Sequence, residues 1–399
     1  MKWEERRFDE LGIIGRGKSK HRPRDAEHLY GGPYPFIQTG DVKHADLYIN
    51  SYSQTYSEAG LSQSKLWPAG TLCITIAANI AETAILGLDA CFPDSVIGFI
   101  TDASKSDVRF LKYKFDTIKR QYQQVSQGAA QDNLSLEKLL SFKIKVPALQ
   151  EQRAIADVLS AYDDLIENNR RRMALLEEAA RLLYREWFVR LRFPGHERTH
   201  IVDGVPEGWE RGRLSDFYET ASGGTPSRAN PDFFVGDIPW VKTQELLNGF
   251  VTDTEEKITE DALRMSAAKL FPEKTVLVAM YGATIGQLGI ISSPAASNQA
   301  CCAIMPRDAR ASFVHAFLFF RENKEKLVGF SMGAAQKNIN QEIIRSFPML
   351  MPPQRMMRLF NQTLNCAFDL LLNFQLQNQK LSAARDLLLP HLMSVDLMP

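Results

Sequence analysis

A chain that carries the same text twice is constrained to fold as a pair of related units, and this chain does so. QGAAQDNLSLEKLLSF (Gln127–Phe142) returns as MGAAQKNINQEIIRSF (Met332–Phe347), 205 residues later. LWPAGTLCITIAA (Leu66–Ala78) answers LFPEKTVLVAMYG (Leu270–Gly282), and PFIQT (Pro35–Thr39) answers PWVKT (Pro239–Thr243), both at a shift of 204. Arg24 falls opposite Arg228 in the same frame. Such self-similarity marks a repeated architecture and has to be settled before any motif is weighed. Residues 40–65 and 244–269 differ freely between the copies, as expected of one scaffold carrying two different surfaces on its loops.

Each copy ends in a long heptad pattern. Ile155, Leu159, Tyr162, Ile166, Asn169, Met173, Leu176, Ala180, Leu183 and Trp187 alternate steps of four and three, and Phe360, Leu364, Ala367, Leu371, Phe374, Asn378, Leu381, Arg385, Leu388 and Leu392 repeat the steps. A seam of this kind predicts coiled-coil helices. Laid antiparallel with ends flush, Asn169 meets Asn378, Ala180 meets Ala367 and Met173 meets Phe374. A polar layer in an apolar seam fixes register, because a slip buries unpaired amides. Each seam makes a rod of about 48 Å at 1.5 Å per residue. The competing expectation is two amphipathic helices that merely pack on their own domains.

Composition and motifs exclude several functions. The chain has 399 residues, 45% hydrophobic and 24% charged, with a net charge of zero. DNA binding by such a chain has to rest on local patches, not on bulk charge. MKWEERRFDE is no signal peptide and no apolar run reaches membrane-spanning length, so a cytoplasmic location and no membrane partner are expected. Five cysteines without CxxC spacing point to small buried hydrophobes and to no metal site. GIIGRGKS (Gly12–Ser19) has the spelling of a phosphate loop, but that loop needs a buried strand before it and a helix opening at Lys18-Ser19. KWEERRFDEL upstream is too charged, and Pro23 downstream interrupts a helix. HERTH (His196–His200) spells HExxH within a turn-rich stretch, where one helix face cannot present both histidines. NPDF (Asn230–Phe233) is one residue from the NPP(Y/F) loop of amino-methyltransferases and lacks an accompanying glycine-rich loop.

The paired GAAQ segments, PALQEQRAIADVLSAYDDLIENNRRR (Pro147–Arg172), REWFVRLRFPGHE (Arg185–Glu197), IPWVKTQEL (Ile238–Leu246) and RDLLLPHLMS (Arg385–Ser394) together resemble the specificity subunit of type I restriction-modification systems, over essentially the whole chain. The resemblance implies a mixed α/β (α+β) fold of two tandem target-recognition domains in a pseudo-two-fold duplication. It places domain 1 at 1–147, the first spacer helix at 148–190, domain 2 at 191–351, the second, antiparallel spacer helix at 352–394 and a tail at 395–399. It implies a non-catalytic chain that reads a split, asymmetric sequence on double-stranded DNA. Its expected partners are two modification subunits and a restriction subunit, with S-adenosylmethionine, ATP and Mg on those partners and no cofactor here. One departure stands out: the second helix opens PPQRMMRLF, without the EQR of Glu151–Arg153, so the two docking sites need not be equal. A protein scaffold that reads no DNA and a nucleotide-binding enzyme using GIIGRGKS are the rival functions.

Within that frame Arg16, Lys18, Lys20, Arg22 and Arg24 are expected to form a DNA-facing loop, some binding phosphate and some reaching guanine edges. Gln38, Thr39 and Lys43, with Arg228, Lys242, Thr243 and Gln244 in the second copy, are candidates to read bases or else to cap strands. Gln131, Asn133, Gln336 and Asn338 belong to the repeated GAAQ segments, which either offer a phosphate a helix start or cap that helix with no ligand. Tyr281, in AMYGATIG, marks either a close approach for DNA or a partner, or a bulged strand.

Overall fold

A computed structural model describes residues 3–77, 80–127, 135–141, 143–330 and 338–394. The chain divides into two compact units, residues 1–168 with 378–399 and residues 169–377. Each is built on the same plan.

In unit 1 a five-stranded sheet runs Gly12–Arg16, Val96–Thr101, Leu72–Thr75, Thr83–Leu86, Tyr48–Ile49, with only the last pair parallel. Its central strands read as unbroken apolar runs because both faces are covered. Leu72, Ile74, Ile97 and Phe99 point into a core shared with Phe110, Leu111 and Phe115 of the helix Val108–Gln127. Cys73, Ala84, Leu86 and Val96 point to the opposite face, against Trp67 and Phe92. A smaller sheet (Gln54–Tyr56, Tyr30–Phe36, Ala90–Cys91, Leu66–Trp67) and a ribbon (Glu4–Arg7 with Lys143–Val146) complete the unit.

Unit 2 repeats this strand by strand: Tyr218–Ser222, Cys301–Pro306, Val276–Ala279, Leu288–Ile291 and Gly249–Val251, again with only the last pair parallel. The small sheet (Lys257–Ile258, Ile238–Val241, Ala295–Ser297, Leu270–Phe271) and the ribbon (Glu210–Arg213 with Pro348–Met351) recur too. The duplication read from sequence is therefore a duplication of topology. Cys73, Cys91, Cys301 and Cys302 are buried, as expected of small apolar residues, but Cys366 is exposed on a helix surface.

Two long helices, Leu149–Tyr184 and Gln354–Met393, follow the two ribbons. Pro147 and Pro353 precede their first turns, where a missing N–H costs nothing. Their heptad positions are buried or half-buried along both helices, while Leu165, Leu175, Leu370 and Leu387 beside the seam face solvent. Inside unit 2 the helices run antiparallel: Trp187 meets Phe360 with 5.6 Å between ring centroids, and Arg172 lies over Phe374 at 5.8 Å. Asn169 donates to Gln377 Oε1 at 3.4 Å, one position from the partner expected of a flush seam. Inside unit 1 Arg385 pairs with Asp163, which also accepts the Tyr113 hydroxyl. The helices pack on their own domains as well, through Ala156 in unit 1 and Phe368 in unit 2.

The EQR departure has an internal explanation. Gln152 is buried, accepts from the Asp107 N–H at 3.1 Å and donates to the carbonyls of Pro147 and Lys105 at 2.9 and 3.2 Å. It clasps the start of the long helix to the turn before Val108. At the matching place unit 2 has Met357, buried in the apolar core. There the clasp passes to Ser312, which donates to Asn361 Oδ1 at 2.7 Å.

Candidate nucleic-acid interface

GIIGRGKS does not make a phosphate loop. Gly12–Arg16 is a strand and no helix opens at Lys18. The segment after it is instead pinned onto the body of unit 1. Gly17 N–H donates to Val96 O at 2.9 Å and Lys18 N–H to Phe92 O at 3.1 Å. A Cβ at Gly17 would stand 2.3 and 2.4 Å from the carbonyl oxygens of Pro93 and Phe92, so only glycine allows this approach. Gln63 Oε1 accepts from the N–H groups of Lys20 and His21 at 2.6 and 3.0 Å, and Ser64 Oγ donates to Lys18 O at 2.8 Å.

All five basic side chains of this loop are exposed, but they are not equivalent. Arg16 donates to the Asp94 carbonyl at 3.0 and 2.7 Å, and Arg24 pairs with the Asp94 carboxylate at 3.0 Å. Arg22 folds back on the carbonyls of Ser19 and His21, both at 2.8 Å. Lys18 and Lys20 form no ion pair among the described residues, and they point an uncommitted charge at solvent. Lys65 joins them: its ammonium sits 3.5 Å from the Trp67 ring centroid. Burial, and then the nearby charge of Lys18, push it below the usual lysine range.

Gln38, Thr39 and Lys43 lie at the start and on the surface of the helix Thr39–His44. Gln38 is engaged: its N–H donates to Asp41 Oδ2 at 2.8 Å and its amide to Gln54 Oε1 at 2.6 Å. Lys43 is exposed.

Unit 2 ties up its cations at Arg228, the counterpart of Arg24, and at Lys242, the counterpart of Gln38. Arg228 stacks 4.2 Å from the Phe234 centroid and 5.3 Å from that of Trp240, and its guanidinium pairs with Glu256 at 2.6 Å. Lys242 bridges Glu255 at 2.6 Å and Glu256 at 3.0 Å and keeps only 15% of its side chain exposed. Hydrogen bonding to Glu255 raises Lys242 above its ordinary value, and Arg228 holds the Glu256 carboxyl below its own. Gln244 donates to Glu255 at 3.4 Å, and Thr243 opens the short turn Thr243–Glu245. The two lobes thus carry one scaffold with uncommitted lysines in the loop of the first and with Arg228 and Lys242 paired to glutamates in the second.

The remaining candidates fall elsewhere. Tyr281 precedes the turn Gly282–Thr284 that joins two strands of the large sheet, is 38% exposed and donates to Gln299 O at 3.3 Å. Asn338 is exposed; Gln131, Asn133 and Gln336 lie outside the described residues. The helix starts that follow the GAAQ segments are capped by Ser135, which accepts from Lys138 N–H at 3.1 Å, and by Asn340, which accepts from Ile343 N–H at 2.8 Å. NPDF is likewise a capped turn: Asn230 accepts from Asp232 N–H at 3.3 Å and Phe233 is buried, so this aromatic offers no base-stacking face. His196–Arg198 is a single turn that cannot align His196 with His200. Sequence pattern does not single out Lys65, Asp94 or the Glu255–Glu256 pair, because each acts on a residue remote in sequence. The one available signal is that Lys65 and Lys269 stand at the same place in the repeat.

Two topologically identical lobes with divergent polar loops, each followed by a long heptad helix, describe a two-part recognition scaffold. The sequence model of the Type I restriction modification DNA specificity domain matches residues 1–178 and 206–358, and the chain belongs to that family. It is a specificity subunit, a non-catalytic component of type I restriction-modification systems. The MjaIX specificity subunit of Methanocaldococcus jannaschii is 25% identical to it over 98% of this chain and 92% of that relative. The HindI specificity subunit of Haemophilus influenzae is 23% identical over 65% of this chain and 70% of the relative. The S subunit of a type I restriction-modification system from M. genitalium shares the fold, with a TM-score of 0.68 at 14% identity across 99% of this chain and 96% of that one. Among the described residues no helix is long and apolar enough to cross a membrane.

Proposed function

We propose that this subunit reads a bipartite, asymmetric sequence on duplex DNA, one part through each unit, and that it holds two modification subunits and a restriction subunit in place. The observation that carries this reading is the pairing of one scaffold with two loop chemistries. Lys18 and Lys20 stand uncommitted in unit 1, while Arg228 and Lys242 are tied to Glu255 and Glu256 in unit 2. Identical lobes would favour a palindrome; unlike lobes favour a target whose parts differ. In this reading the chain binds no cofactor. S-adenosylmethionine, ATP and Mg serve the partner subunits, and the assembly works in the cytoplasm.

Sequencing of adenine methylation in cells that express the cognate modification subunit, with and without this chain, tests the reading. A split motif that appears only when the chain is present is the expected result. An unchanged methylation pattern, with the complex verified on DNA, identifies the chain as a scaffold that reads nothing.

A further inference from the structure

The cations of unit 1 do not balance locally. Asp94 engages Arg16 and Arg24, and Arg22 is spent on its own loop. Lys18 and Lys65 form no ion pair among the described residues, and burial, then the charge of Lys18, push the Lys65 ammonium below the usual lysine range. They are carried by two segments fastened to each other through Gln63, which binds the N–H groups of Lys20 and His21, and Ser64, which binds Lys18 O. The Lys65 ammonium itself sits over the indole of Trp67, 3.5 Å from the ring centroid, which restricts where its charge can go. Two cations carried on fastened segments, with no ion pair among the described residues, are what a bound phosphodiester would neutralise.

The repeat supplies an independent observation. Lys65-Leu66-Trp67-Pro68 recurs as Lys269-Leu270-Phe271-Pro272, with the lysine exposed in both copies just before an edge strand. In unit 2 the segment before Lys269 is again met closely by the loop after the first sheet strand: a Cβ at Gly224 would stand 2.2 Å from the Ala267 backbone. Arg228 and Lys242 are neutralised there by glutamates, but Lys269 forms no ion pair among the described residues. The lysine is therefore retained at one scaffold position while the loops around it diverge.

We propose that Lys65, with Lys18 beside it, holds a backbone phosphate of the DNA duplex, and that Lys269 holds one at the equivalent position of unit 2. The assignment rests on the DNA-reading function proposed above. These residues place the duplex against each unit and carry no base preference, since phosphate contacts position and base contacts specify.

The test uses the full chain co-purified with its modification subunit. Affinities for a target duplex and an unrelated duplex are measured across a salt series for the wild type, Lys65→Met, Lys269→Met and Lys65→Arg. Methionine keeps an apolar stem over Trp67 and removes the charge. Each Met variant is expected to reduce the slope of log affinity against log salt by about 0.9, to weaken both duplexes equally, and in the Lys65 case to be rescued by Arg. Should Lys65→Met fold poorly, Lys18→Met gives the same slope change without disturbing Trp67. An unchanged slope in the lysine variants, with wild-type binding intact, overturns this inference alone, as does a loss confined to the target duplex. A wild-type complex without DNA affinity overturns both it and the proposed function.

Discussion

At the scale of single residues, the two copies solve one packing problem with different pairs. Trp67 packs on the large sheet of unit 1 against Gly98, where an added Cβ would stand 2.7 Å from the indole and from Phe92. At the matching positions unit 2 has Phe271 and Ala303 in one core cluster. The smaller ring leaves room for the methyl. Gly98→Ala is therefore expected to cost about 1–3 kcal/mol through overpacking, lowering the melting temperature of unit 1 by ~2–4 °C per kcal/mol; a melting point equal to wild type in calorimetry contradicts the packing account. His315 gives a prediction in pH. It is buried among Tyr184, Phe188 and Phe360 with Tyr218 Oη 3.0 Å from its Nδ1, and burial pushes it down to about 3. In the unfolded chain it returns to about 6.5. Between those values the unfolded state binds the proton and the folded state does not, so stability complete above about pH 6.5 is lost as pH falls toward 3. His315→Gln lacks that contribution. Denaturation midpoints of the two proteins should converge on acidification, and parallel curves would refute a neutral buried ring.

At the scale of elements, the long helices show how a heptad tolerates charge. Arg385 occupies a seam position, and its guanidinium is answered by Asp163, only 3% exposed, which the Tyr113 hydroxyl also serves. Removing Asp163 leaves Arg385 with only the exposed Asp386 and takes the acceptor from the buried Tyr113 hydroxyl. Asp163→Ala should cost ~3–5 kcal/mol, while Asp163→Leu with Arg385→Met should recover most of that loss. Urea denaturation of the three proteins decides; equal stability of the single and double variants would mean the pair has no such role. The seam itself was legible, because its period depends only on which residues are apolar. Asp163 was not, since it lies off the heptad and acts across to a helix more than two hundred residues away. Gln152 was visible as a motif, but its work, clasping the Asp107 turn, was not.

At the scale of the whole molecule, the chain divides binding from chemistry. The purified subunit is expected to hydrolyse no ATP, and Lys18→Ala is expected to weaken DNA binding with no effect on any turnover; ATP hydrolysis by homogeneous protein that Lys18→Ala abolishes would restore the nucleotide-loop reading. The unlike lobes give a second expectation. Glu255→Gln with Glu256→Gln frees Arg228 and Lys242, so DNA affinity should rise at low salt and fall more steeply with added salt. A salt series identical to wild type would show that these cations face away from the duplex. Most of the architecture behind these expectations was readable, since the repeat required two like units. The candidate interface was readable only as a pool: five basic residues of the first loop looked alike in sequence, and Asp94 and local carbonyls divide them into committed and free.

Sequence alone determined that this protein is double, that each half ends in a heptad helix, and that GIIGRGKS lacks the neighbours of a phosphate loop. These follow from identity and periodicity along the chain, which are independent of how distant segments meet. Tertiary structure decided which charges are available. Whether a lysine meets a glutamate, a carbonyl or only solvent depends on segments brought together from distant positions, as Asp94 is to Arg24, Glu256 to Lys242 and Lys65 to Lys18. Electrostatic energy depends on distance in space, and the fold sets that distance.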